Sequence, residues 1–155
     1  MSNLKVTYMN RSIKHTILYS HEPAIVWEYL TKSELIEQWL MKNNFEPKVG
    51  HEFQFRSKPI PSVDWDGVIY CKVLELIPLK KLSYSWKGGP GDGSINMDSV
   101  VEFTLTKKTN GTELSLVHSG RVENVDIYSM MDKGWKENIE KIGTLIQTTV
   151  KAATN

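Results

Sequence analysis

The chain reads as an α+β domain in which a curved antiparallel sheet of about six strands wraps a long C-terminal α-helix. Three observations predict this. From about Asp126 to Val150, the residues Ile127, Met131, Trp135, Ile139, Ile142, Ile146 and Val150 recur every three or four positions, drawing one apolar stripe down a helix about 37 Å long. Upstream, short stretches alternate apolar and polar residues between tight-turn signals, the pattern of consecutive antiparallel strands with one buried face. Two short apolar-faced segments separate the first strand from the rest. The helix stripe needs a partner surface and the strands supply it. A long helix over a curved sheet does not close every gap, so a pocket is expected between them.

Residues 1–11 carry only a weak alternation through Leu4, Val6 and Tyr8 and read as an N-terminal arm, with residues 12–152 as a single domain. Strand one spans Ser12 to Tyr19, with Ile13, His15, Ile17 and Tyr19 on one face. Ser20 is a candidate cap and Pro23 fits the first turn of a short helix running to about Leu30. Thr31-Lys-Ser-Glu34 has capping-box spacing and opens a second short helix, with Leu35, Ile36, Trp39 and Leu40 on its buried side. After a loop at Pro47 and Gly50, strand two runs from His51 to Ser57. Lys58-Pro-Ile-Pro61 reads as a loop, because proline has no amide to give a sheet. Strand three is expected from about Asp64 to Ile77 with a bulge or bend at Asp66-Gly67. Strand four carries Leu82, Tyr84 and Trp86, and Gly88 to Gly93 forms a hairpin loop that could act as a flap at the pocket mouth. Strand five spans about Met97 to Lys107. Asn110-Gly111 is the strongest hairpin signal in the chain, and strand six follows through Leu114, Leu116 and His118 to Gly120. In the long helix Asp126 is the candidate N-cap. Gly134 and Gly143 each cost about 1 kcal/mol there, so either something approaches closely or the helix tolerates them.

Several motifs together resemble a known family. Glu37-Gln-Trp39, Val73-Leu-Glu-Leu-Ile-Pro78 leading into Leu82-Ser-Tyr-Ser-Trp86, and Leu114-Ser-Leu-Val-His-Ser-Gly120 with Gly134-Trp135 are similar to the activator of heat-shock-protein-90 ATPase homologue-like proteins. These belong to the START-like or SRPBCC superfamily, the helix-grip fold. The resemblance covers about Ser12 to Val150 and implies a sheet gripping the C-terminal helix around a hydrophobic cavity. It does not imply one activity, since the superfamily includes ligand carriers, cyclases and co-chaperone domains. Where the family commonly has a glycine before Val-Leu-Glu, this chain has Tyr70-Cys-Lys72.

Composition narrows the function classes. With 19 basic and 18 acidic residues in 155, the net charge of +1 supplies no field for nucleic acid or an anionic membrane. A single cysteine, Cys71, precludes an internal disulfide, no apolar run has membrane-spanning length, and the start lacks a signal-peptide core. A cytoplasmic location is expected. His15, His21, His51, His118 and Cys71 are too scattered for a zinc site, and Asp64-x-Asp66-Gly67 lacks the further ligands of a calcium loop. Gly88 to Gly93 is not followed by the lysine and helix of a phosphate cradle. Neither a metal nor a cofactor is implied, and no catalytic set is recognisable.

The candidate ligand-binding residues are Trp39, Phe53, Tyr84, Trp86, Phe103, His118, Met131 and Trp135, aromatic or soft side chains on the faces expected to meet under the helix. Core packing accounts for the same residues. His118 has two readings, a general base or ligand holder in the pocket, or a buried histidine bonded to a backbone carbonyl or a tyrosine. The function expected is binding of a hydrophobic or aromatic small molecule. The alternatives are a polyketide cyclase or dehydratase-like enzyme in which His118 or Tyr84 moves protons, and a chaperone-interacting module implied by the family resemblance.

Overall fold

The computed structural model describes residues 10–154. The order is β1 (Asn10–Tyr19), α1 (Pro23–Thr31), α2 (Ser33–Trp39), β2 (Lys42–Asn43), β3 (Glu52–Arg56), β4 (Val68–Ile77), β5 (Lys81–Gly88), β6 (Met97–Lys108), β7 (Gly111–Val122) and α3 (Val125–Thr154). All strands join one antiparallel sheet of order β1-β7-β6-β5-β4-β3-β2. Strands β2 to β7 neighbour each other in sequence order, and β1 lies beyond β7. Helices α1 and α2 therefore connect one edge of the sheet to the other.

The alternation works as period-two patterning demands. Phe53 and Phe55 of β3, Ile69, Cys71 and Val73 of β4, Tyr84 and Trp86 of β5, Val101 and Phe103 of β6, and Leu114 and Leu116 of β7 are buried on one face. Helix α3 covers that face with Ile127, Trp135, Ile139, Ile142 and Ile146. Burial of this contiguous apolar set is the main stabilising term of the fold. The stripe ends at Ile146, because Val150 is exposed. No helix among the described residues is long and apolar enough to cross a membrane.

Several local expectations are corrected. The sheet has seven strands: β2 pairs only Lys42 and Asn43 with Arg56 and Phe55, too short a run to show alternation. Of the arm expected at residues 1–11, residues 1–9 lie outside the described residues, while Asn10 and Arg11 already pair with Arg121 and Gly120. The capping box does not form. Thr31 Oγ1 donates instead to the Trp27 carbonyl inside α1, and α2 starts after Lys32 without a side-chain cap. Nor does Ser20 cap α1, whose N-cap position is Glu22. Asn124 rather than Asp126 caps α3, accepting from the Ile127 amide at 3.0 Å.

Asp66-Gly67 ends a turn and does not bend a strand. A 3-10 turn at Pro61–Val63 leads into Asp64 in the left-handed region, and Ile60 and Trp65 bridge across it. Gly67 has φ +92°, and a Cβ there would lie 2.4 Å from the Ser57 carbonyl oxygen, so β4 starts only at Val68. The irregularity of β4 lies instead between Val73 and Glu75, where its register with β5 shifts.

Helix α3 is fastened to β1 at two heights. His15 Nε2 is 2.7 Å from Asp132 Oδ1, and the Tyr19 hydroxyl donates to the Ile139 carbonyl at 2.5 Å. A Cβ on Gly143 would stand 3.2 Å from the Tyr19 ring, so this glycine admits the tyrosine. Gly134 has nothing within 4 Å of its hypothetical Cβ. One of the two helix glycines marks a close approach; the other faces open space.

Candidate functional site

That open space is a cavity of about 210 Å³ between the N-terminal half of α3 and the sheet. Ile69 of β4, Trp86 of β5 and Met97 at the start of β6 form its floor. Ile127, Met131, Gly134, Trp135 and Asn138 of α3 form its roof. Leu40 and Met41 after α2 and the loop Ser57–Trp65 complete the wall. The loop holds its shape through the reciprocal Ile60–Trp65 backbone bonds, and the Trp65 indole donates to the Val68 carbonyl at 2.9 Å. Every wall residue is uncharged. Four methionines, Met41, Met97, Met130 and Met131, supply polarizable surface that adapts to shape.

Seven of the eight predicted site residues come together in one ring network. Trp39 meets Phe103 edge-on at 6.4 Å, Phe103 meets Tyr84 at 5.9 Å, and Tyr84 meets Phe53 at 5.1 Å. Phe103 also packs on Trp135 at 5.9 Å, and Trp135 lies 5.2 Å from Trp86 and 5.9 Å from His118. Met131 stands outside this ring network, on the cavity wall. Only Trp86, Met131 and Trp135 border the cavity. Trp39, Phe53, Tyr84, Phe103 and His118 are buried in the core beside it, where Phe103 and His118 pack on Trp135 and the other rings pack on one another. Trp39 also ties α2 to α1, its indole donating to the Tyr29 carbonyl at 2.8 Å.

His118 sits in a fully directed hydrogen-bond chain. The Trp135 indole can only donate, and it does so to His118 Nδ1 at 2.8 Å. The neutral ring therefore carries its proton on Nε2, which donates to Ser99 Oγ at 2.7 Å. The Ser99 hydroxyl hydrogen is then left for the Trp86 carbonyl at 3.0 Å. Burial pushes the His118 pKa down to about 3, so the ring is neutral at physiological pH. Both nitrogens are occupied, and the ring positions Trp135 and β5 at the cavity edge. Its partners are a serine and a tryptophan, neither a backbone carbonyl nor a tyrosine. Burial likewise holds the Tyr84 hydroxyl and the Cys71 thiol in their neutral forms.

Ser99 was missed in the sequence, although it shares the strand face of Val101 and Phe103 and its parity pointed inward. Trp65 and the loop before it were missed because a proline-rich connection carries no periodicity. The glycine-rich Gly88–Gly93 turn does not border the cavity. It braces the adjacent loop, with the Asp66 amide donating to the Gly89 carbonyl at 2.9 Å. Among the described residues no group of histidine, cysteine or carboxylate side chains could hold a metal ion.

The sequence model of the Activator of Hsp90 ATPase homolog 1-like protein family matches residues 20–147. The chain is similar to protein MLL2253 from Mesorhizobium loti, with 38% identity, coverage of 90% of this chain and 98% of that one, and a TM-score of 0.79. It is similar to protein BH1534 from Bacillus halodurans at 26% identity, covering 89% and 98% of the two chains with a TM-score of 0.68. The Aha1 dimer from Colwellia psychrerythraea shares the fold at 22% identity, with 88% and 96% coverage and a TM-score of 0.71. No curated protein matches. With the family match spanning most of the sheet, both short helices and the body of α3, the chain belongs to the Activator of Hsp90 ATPase homolog 1-like family, on the helix-grip fold of the SRPBCC superfamily.

Proposed function

We propose that this chain is a binding protein whose cavity under α3 takes an uncharged apolar or aromatic molecule of about one ring. The observation that carries this is the wall: mainly apolar and indole groups around 210 Å³, with Ser57 and Asn138 as neutral polar groups and no titratable side chain among them. A cavity of roughly 150 Å³ accommodates benzene, so this one suits a substituted single ring. Uncharged walls leave a charged ligand without compensation for lost hydration. They also leave a cyclase or dehydratase reaction without a proton-moving group, since His118 is occupied at both nitrogens and held neutral.

Titration with small neutral aromatics tests this directly, because Trp65, Trp86 and Trp135 border the cavity and report occupancy by fluorescence. Saturable quenching with a rise in Tm is expected, about 2.7 kcal/mol of stabilisation when ligand reaches a hundred times Kd. Absence of saturable binding across a broad set of such molecules would sink the reading.

The comparisons favour a second reading over the first, a module that binds the Hsp90 chaperone and stimulates its ATPase. It rests on the description of the family and on the likeness to the Aha1 dimer. Leu74, Ile77 and Leu79 are exposed along the β4–β5 hairpin, away from the cavity wall, and supply apolar surface for such a contact. Binding to purified Hsp90 with faster ATP turnover supports it; no binding at tens of micromolar protein removes it.

A further inference from the structure

The tryptophans around the core differ in one respect. Trp39 donates its indole N–H to the Tyr29 carbonyl, Trp65 to the Val68 carbonyl, and Trp135 to His118 Nδ1. Trp86 is 4% exposed, borders the cavity, and its Nε1 meets no acceptor in the protein. A buried donor without a partner is rare, because it has given up water and gained nothing in return. Asn96 Oδ1 is the other such atom among the described residues, but it lies off the cavity wall.

The position of Trp86 is not one the fold leaves loose. Its ring is held between Phe55 at 5.4 Å, His118 at 5.3 Å and Trp135 at 5.2 Å, and its backbone carbonyl accepts from Ser99. The Ser99–His118–Trp135 chain thus ends on Trp86 and fixes two cavity-wall indoles against each other. Every other donor in that chain is satisfied; the Trp86 N–H is left over, shielded from water on a residue that borders the cavity.

We infer that the ligand of this cavity carries a neutral hydrogen-bond acceptor, a carbonyl, ether or phenolic oxygen on an apolar or aromatic body, which takes the indole N–H of Trp86. This rests on the small-molecule reading above and narrows its ligand class. A carboxylate is disfavoured, because no cation lines the wall and neutral donors alone do not replace its hydration. A pure hydrocarbon fills the volume but leaves the donor unmet.

The test uses acetophenone and α-methylstyrene, which share one shape and differ in a C=O against a C=CH2. Affinities for both are measured in the unmodified protein and in Trp86→Phe, which keeps an aromatic ring and removes the donor. Comparing the ratio of the two affinities between proteins cancels their different hydration. The ratio is expected to shift against acetophenone by about tenfold in Trp86→Phe. An unchanged ratio, with both probes still bound, overturns the acceptor inference and leaves the cavity reading standing. If neither probe nor any other neutral ring binds the unmodified protein, both readings fall together. Should Trp86→Phe not fold, the indole ¹H–¹⁵N signals of the unmodified protein decide. Acetophenone must move the Trp86 signal downfield where α-methylstyrene does not, with Trp39 as the unperturbed reference; equal shifts from both probes overturn the inference.

Discussion

The two halves of helix α3 follow one amphipathic pattern and meet the sheet differently. In the C-terminal half, Ile139, Ile142 and Ile146 are fully buried, and Gly143 lets the Tyr19 ring press against the helix while its hydroxyl caps the Ile139 carbonyl. In the N-terminal half, Met131 is only partly buried, Gly134 faces open space, and a cavity of about 210 Å³ separates helix from strands. The same periodicity that seals one end leaves a site at the other. The difference comes from what fills the space: the Tyr19 ring of β1 presses against the helix at one end, while at the other three tryptophans and four methionines surround a volume that no side chain occupies.

That contrast makes graded predictions. The largest concerns truncation. Ile142→Ala should cost about 2–5 kcal/mol in urea unfolding, since it opens a cavity in tight packing, whereas Met131→Ala should cost about 1 kcal/mol or less because its neighbourhood is already open. Equal losses would mean that the N-terminal half is packed as closely as the other.

Next comes pH. His118 titrates near 6.5 in the unfolded chain and at about 3 in the fold, so between these values the unfolded state holds the extra proton. Its contribution is complete above pH 6.5 and is lost as pH falls towards 3, at about 1.4 kcal/mol per pH unit. At pH 5 the protein should therefore be about 2 kcal/mol less stable than at pH 7 from this group alone. His118→Gln, which can still accept from Trp135 and donate to Ser99, should remove that part of the acid dependence. A variant with the same slope would show that the carboxylates carry it all.

The smallest effect is one of sign. Gly134→Ala meets no atom within 4 Å and should stabilise the helix by up to about 1 kcal/mol. Gly143→Ala gains the same propensity but places its Cβ 3.2 Å from a tyrosine ring that is held by its own hydrogen bond, so thermal unfolding should show no gain or a loss. If both variants gained equally, the close contact at Gly143 would be negligible.

Much of this architecture was legible beforehand because it is periodic. Alternation through Tyr84 and Trp86, through Val101 and Phe103, and through Leu114 to His118 named the inward faces, and the three-and-four spacing of Ile127 to Ile146 named the helix side that meets them. Caps were less legible. Thr31 and Asp126 have the right chemistry, but the chain direction at each helix start decides whether a side chain reaches an amide, and Asn124 is the residue that does. Of the candidate site, Trp86, Met131 and Trp135 were found at the wall, while Trp39, Phe53, Tyr84, Phe103 and His118 lie in the packing beside it. Residue type does not separate those sets. A tryptophan suits a core as well as a cavity, and the distinction is whether another side chain occupies the adjacent volume.

By itself the sequence determined which face of the longer elements is buried and the order of the helices and of every strand but β2, because these follow from local spacing and chemistry, while the family followed from the resemblance of its motifs. Only the tertiary structure decided that β1 joins β7 at one edge, that Trp65 and its loop close the cavity, and that the Trp86 indole has no acceptor while three other tryptophans do. Those facts are distances between residues far apart in the chain, set by how a curved sheet and a rigid helix fill space together.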